Sequence, residues 1–127
     1  MPNNRITHFQ REQLERAARF AEADGWELHL KVSDDERRNC AEVPVEVFFP
    51  NADEDSGERL IRAERERIAE QCRGCPVADA CLAGALLRGE RYGGWGGVGQ
   101  PDFQRLSRIF RKLRQQGRLA EIGGEAA

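Results

Sequence analysis

Apolar residues are thinly spread along the chain, and their spacing changes from segment to segment. In "HFQREQLERAARFAEADG", Gln10, Leu14, Ala17, Ala18 and Ala21 recur at helical spacing. That predicts a first helix with one weakly apolar face and Gly25 just past its end. The period then shortens. In "WELHLKV", Trp26, Leu28, Leu30 and Val32 alternate with polar residues, the pattern of a short strand. "EVPVEVFF" alternates too, but Pro44 argues against a central strand. Helical spacing returns in "SGERLIRAERERIAEQC", where Leu60, Ile61, Ile68 and Cys72 share a side. Pro76 suits the opening turn of the next helix, "PVADACLAGALLRG", with a stripe of Ala78, Leu82, Ala85 and Leu86. "PDFQRLSRIFRKLRQQG" is the last helix, with Phe103, Leu106, Phe110 and Leu113 along one face. The closing "RLAEIGGEAA" reads as frayed. The sum is a mostly α chain with one short strand near its start.

Composition makes that core look small. Of 127 residues, 33% are charged and 7% aromatic, so a covalent or metal staple is expected. The net charge of −2 hides an uneven distribution. Residues 103–118 carry Arg105, Arg108, Arg111, Lys112, Arg114 and Arg118 and no acid, whereas 33–58 are rich in Asp and Glu. A basic stripe of this kind suits phosphate contacts with DNA, although a charged helix face is more often simply solvated. No 18-residue apolar run and no apolar leader are present, so a cytoplasmic protein is expected. In that compartment clustered cysteines hold metal or do redox work more often than they form disulfides.

The cysteines are Cys40, Cys72, Cys75 and Cys81, spaced C-x31-C-x2-C-x5-C. Four thiolates can hold one tetrahedral zinc or the corners of an iron–sulfur cubane. Paired CxxC knuckles, the usual zinc arrangement, are missing, and the uneven spacing favours the larger object. Structural zinc, a Cys72/Cys75 redox dithiol and inert thiols remain as alternatives. Downstream, "RYGGWGGVG" sets glycines around Trp95 in a turn that presents the indole.

These motifs together resemble the WhiB-like family of actinobacterial iron–sulfur transcriptional regulators. The matching features are Cys40, then "FFP" at Phe48, Phe49 and Pro50, then "CRGCPVADAC", then "GGWGG", over roughly Cys40 to Leu113. The resemblance implies a small helical domain organised around an oxygen- and nitric-oxide-sensitive 4Fe–4S cluster held by Cys40, Cys72, Cys75 and Cys81. It implies a regulator and not an enzyme, a monomer that pairs with the C-terminal domain of the primary sigma factor of RNA polymerase. Phe48, Phe49 and Trp95 would form that docking patch. Two other readings accompany it: a disulfide reductase when cluster-free, with the attacking thiolate favoured near a helix N-terminus, and a zinc-stapled DNA-binding adaptor. The chain departs from the family pattern at Asp34, where an aromatic is usual, and at Gly94, where Val or Ile is usual. The expected organisation is an extension over 1–33, the cluster domain over 34–100, the basic helix over 101–118 and a frayed tail over 119–127.

Overall fold

The computed structural model describes residues 6–125. Six α-helices follow in order: α1 His8–Ala18, α2 Gly25–Asp34, α3 Glu58–Cys72, α4 Ala78–Arg88, α5 Asp102–Gln115 and α6 Leu119–Glu125. Two short 3-10 turns, Asn39–Glu42 and Val45–Phe48, lie between α2 and α3. The described residues contain no strand, only a bridge between Trp95 and Val98. The mostly helical expectation holds.

Helix boundaries follow local chemistry. Thr7 and Gln10 close a reciprocal capping box: the Gln10 N–H donates to Thr7 Oγ1 at 3.1 Å, and the Thr7 N–H donates to Gln10 Oε1 at 3.0 Å. α4 and α5 both end in a left-handed glycine, Gly89 and Gly117, and the next N–H bonds back to Ala85 and Leu113.

The expected strand is instead helix α2, and Gly25 opens this helix rather than closing the one before. The cause is Asp24, whose carboxylate accepts from the N–H groups of Trp26 at 2.8 Å and Glu27 at 3.1 Å. Alternation misleads here because every second residue of a helix steps by about 200°. Trp26 and Leu30 therefore share one side and Leu28 and Val32 the other. Leu28 is buried against α4, while Trp26 and Leu30 are exposed. "EVPVEVFF" likewise forms the second 3-10 turn rather than extended chain.

One core draws on both ends of the chain. Leu14, Ala17, Ala18 and Leu28 come from residues before the cysteines. Leu82, Ala85 and Leu86 of α4 meet them, with Phe103, Leu106, Phe110 and Leu113 of α5. Of the tail expected to be frayed, residues 119–125 form α6, whose Leu119 and Ile122 are buried and pack with α1 and α5, and residues 126–127 lie outside the described residues. A segment with two well-spaced apolar residues has little helical signal alone, but a waiting apolar surface is enough to dock it. Leu119→Ala should lower stability by about 2 kcal/mol, the small end of the range for a buried leucine. Urea denaturation checks this, and a change within about 0.5 kcal/mol would mean the tail is undocked.

Candidate metal centre

Three separate elements deliver the cysteines. Cys40 sits in the first 3-10 turn, Cys72 is the last residue of α3, Cys75 follows in the link, and Cys81 is one turn into α4. The link turns sharply through left-handed Gly74, and the Cys75 N–H donates to the Cys72 carbonyl at 3.1 Å. Cys40 would otherwise hang on a loop. Asn39 anchors it: its side-chain amide donates to the carbonyls of Gln71 at 3.2 Å and Arg73 at 2.9 Å, and its backbone N–H points at Cys75 Sγ at 3.5 Å. One asparagine thus caps the open end of α3 and brings the remote cysteine to the other three.

All four cysteines line a single cavity of about 260 Å³. None forms a disulfide. Phe48, Phe49 and Trp95 line the same cavity, so the two groups of residues picked from separate motifs converge. Its lining includes the cations Arg38 and Arg88 and the imidazole of His29, with no Asp or Glu. Among the described residues, no three His, Cys, Asp or Glu side chains are gathered closely enough to hold one metal ion. The four thiols share the lining of one cavity without meeting at one point.

Burial sets the thiol chemistry. Desolvation pushes Cys72 up to about 11, with the neighbouring Cys75 adding to it, and pushes Cys81 up to about 12. The backbone N–H groups of Gly97 and Gly96 oppose this at Cys72 and Cys81 respectively, but more weakly. Burial therefore works against Cys72 as the attacking thiolate of a Cys72/Cys75 dithiol.

The glycine turn explains how Trp95 reaches the cavity. Trp95 and Val98 exchange backbone hydrogen bonds at 2.9 and 3.1 Å across Gly96 and Gly97, both at positive φ, the geometry of a tight primed turn. A Cβ on Gly96 would stand 2.3 Å from the Ala78 carbonyl oxygen, and one on Gly99 would stand 2.6 Å from Ile68 Cγ1. The turn is thus pressed into the angle between α3 and α4. The indole N–H donates to the Tyr92 carbonyl at 2.7 Å. Arg16 of α1 holds the turn from behind, donating to the Gly96 carbonyl at 2.7 Å and to Asp79 Oδ1 at 2.6 Å.

The two phenylalanines are held by a pair that sequence reading passed over. Arg67 donates to the carbonyls of Val47 at 2.7 Å and Phe49 at 2.9 Å, and Glu64 accepts from the Asn51 N–H at 3.1 Å. Glu64 is 3% exposed. Burial works to raise its carboxyl, but the Arg67 guanidinium and the Asn51 N–H outweigh it and hold the group below its usual range. Phe48 is half-buried and Phe49 exposed. An i,i+3 Glu–Arg pair looks like an ordinary surface contact in sequence, so only its burial reveals the clamp.

With this geometry described, the comparisons with known proteins are specific. The family model described as "Transcription factor WhiB" matches residues 35–106. The chain belongs to the WhiB family of transcription factors. It is 41% identical over 88 residues to the transcriptional regulator WhiB2 of Mycolicibacterium smegmatis, covering 69% of this chain and 55% of that protein. It is 38% identical over 86 residues to the redox-responsive transcriptional regulator WhiB3 of the same organism, covering 66% and 79%. Against the transcriptional regulator WhiD of Streptomyces coelicolor, identity is 35% over 108 residues, covering 83% and 88%. The chain spans about half the length of the WhiB2 relative. No solved structure matches.

Outside the cavity lies the basic face of α5. Its apolar side, Phe103 to Leu113, is buried as the pattern predicts. Asp102 at its start accepts from Arg65 of α3 at 2.8 and 3.0 Å, which orients the helix. Arg105 and Arg108 face Glu54 at 3.5 and 2.9 Å, and Arg118 faces Glu121 at 3.4 Å. Arg111, Lys112 and Arg114 are exposed. The basic residues and the cysteines are not brought together: α5 carries none of the residues that line the cavity.

The raised thiols predict how cluster-free protein behaves. At pH 8 about one Cys72 in a thousand would be thiolate, so iodoacetamide should modify exposed Cys40 well before Cys72 or Cys81. The Cys72 rate should climb about tenfold per pH unit until near pH 11. Stability has the opposite trend. Unfolded thiols lose their protons near pH ~8.5 and the folded ones later, so folding weakens as pH rises through that window. Peptide mapping after timed alkylation checks the first part, and melting curves against pH the second.

Proposed function

We propose that this protein is a redox- and nitric-oxide-responsive transcriptional regulator that holds a 4Fe–4S cluster in the four-cysteine cavity. The observation that carries this reading is the cavity itself. Cys40, Cys72, Cys75 and Cys81 line one cavity of about 260 Å³, and among the described residues no three possible ligands converge on a single ion. A tetrahedral zinc sits about 2.3 Å from each sulfur and would need all four thiols drawn to one point. A cubane takes one thiolate at each of four separated irons, and it supplies a centre that oxygen and nitric oxide can attack. The cavity's cations and lack of carboxylates suit an anionic occupant.

The chain's own residues then supply the response. Buried Cys72 and Cys81 favour the neutral thiol when nothing is bound, so ligation must overcome their burial and contributes folding energy to this region. Phe48, Phe49 and Trp95 form a docking patch at the cavity, held by the Glu64–Arg67 clamp and the glycine turn. We assign its partner as the C-terminal domain of the primary sigma factor, bound by one copy of this chain. Rigidly held aromatics of this kind make good interface anchors. Burial of Cys72 works against its serving as the attacking thiolate of a cluster-free disulfide reductase. No helix among the described residues is long and apolar enough to cross a membrane, and a cytoplasmic setting suits the reduced thiols.

Anaerobic purification with iron and sulfide counts tests the centre. Iron and sulfide should be equal, with broad absorption near ~410 nm lost in Cys40→Ser. The loaded protein should co-elute with the sigma domain, and Phe49→Ala should not. A colourless protein with one bound zinc, or full loading in Cys40→Ser, would end this reading.

The basic helix is assigned to promoter phosphates through Arg105, Arg108, Arg111, Lys112, Arg114 and Arg118. Two of these already face Glu54, so Arg111, Lys112 and Arg114 carry the larger share. DNA affinity should fall linearly on a log–log salt plot, and Arg111→Gln with Arg114→Gln should reduce the slope by about 2. Mobility shifts across a salt series check this; a flat plot removes the DNA contact.

A further inference from the structure

A buried cation stands at the edge of the cavity. Arg88, the last residue of α4, has a side chain only 4% exposed. Gly25 and Gly84 leave room for it: a Cβ on either would stand 2.9 Å from an Arg88 side-chain atom. Its guanidinium lies 5.5 Å from the ring centroid of Trp26 and 5.5 Å from that of Trp95. It donates to the Gly25 carbonyl at 3.0 Å and faces one carboxylate, Glu90, at 3.1 Å. It also lines the cavity that the four cysteines share.

Burying a guanidinium is costly unless charge and hydrogen bonds compensate it. Glu90, half-exposed, compensates in part. The cavity offers the second partner, because four thiolates around a cubane core are net anionic and the lining holds no carboxylate. Each of the two indoles turns a ring face toward the guanidinium.

We propose that Arg88 balances the charge of the cluster and, with the same guanidinium, holds Trp95 at the docking patch. Trp26 completes the arrangement, so α2, which lies before the matched family region, becomes part of the site's support. The inference rests on the cluster reading above. Removing the cation leaves the reduced, more anionic cluster less stabilised, which moves the midpoint potential to more negative values. Lysine retains the charge but not the planar group that stacks on both rings. The two roles therefore separate in two substitutions.

The experiment uses the full chain, reconstituted anaerobically, as wild type, Arg88→Gln and Arg88→Lys. Spectroelectrochemistry should place Arg88→Gln at a more negative potential and Arg88→Lys near wild type. In the cluster-free protein with Trp26→Phe, acrylamide quenching of Trp95 should rise about twofold in both variants, since neither stacks as arginine does. An unshifted potential in fully loaded Arg88→Gln overturns the charge role, and unchanged quenching overturns the hold on Trp95. Should Arg88→Gln not load, wild-type potential in Arg88→Lys supports the charge role. Failure of both to load makes Arg88 a folding residue and overturns the proposal. Wild-type protein without iron or sulfide overturns the cluster reading and this inference together; a loaded wild type beside unshifted variants overturns this inference alone.

Discussion

A single close approach organises this molecule. The backbone at Gly96 lies against the start of α4, with the Ala78 carbonyl where any side chain would have to stand. Gly99 meets Ile68 of α3 in the same way. Because the turn can enter this angle, it reaches two cysteines and a tryptophan at once. The N–H groups of Gly96 and Gly97 face Cys81 and Cys72, while Trp95 emerges beside Phe48 and Phe49 at the cavity. Val98 continues into the core, and Pro101 leads directly into α5. A side chain at Gly96 would have to displace the start of α4 at Ala78 and Leu82.

Around that contact, arginines do much of the fastening. Arg16 ties α1 to the turn and to α4, Arg65 ties α3 to α5, Arg67 ties α3 to the phenylalanine segment, and Arg88 ties α4 to α2. Each donates to a carboxylate, a carbonyl or both, using the fork of donors that lysine lacks. This suits a chain with few large apolar side chains, in which Phe103, Phe110 and a handful of leucines and isoleucines are the largest buried groups. The charged fraction that makes the core look poor also builds its connections.

Two candidate surfaces are kept apart. The cavity and its aromatics lie where α2, α3, α4 and the glycine turn meet. The basic face of α5 looks elsewhere, partly covered by Glu54 from the acidic segment. Membership of the WhiB family of transcription factors makes each surface a candidate for contact with a partner.

Much of the chemistry was legible in the residues. The cysteine spacing, the "FFP" segment, the glycine turn and the basic stripe are all local patterns, and the helices with strong apolar periods, α3, α4 and α5, lie close to where that period puts them. Three things were not legible. Residues 26–32 alternate like a strand but fold as α2, because the Asp24 cap and the buried face of α4 outweigh a period-two pattern with no partner strand. Residues 119–125 look too weak to fold, yet Leu119 and Ile122 find a surface prepared by α1 and α5. The Glu64–Arg67 clamp and the Arg88 stack join residues whose partners lie far along the chain. Sequence alone determines which side chains are present and how they repeat. Which of them share a cavity, and which charges are buried beside it, is decided only when distant segments compete for the same apolar surface.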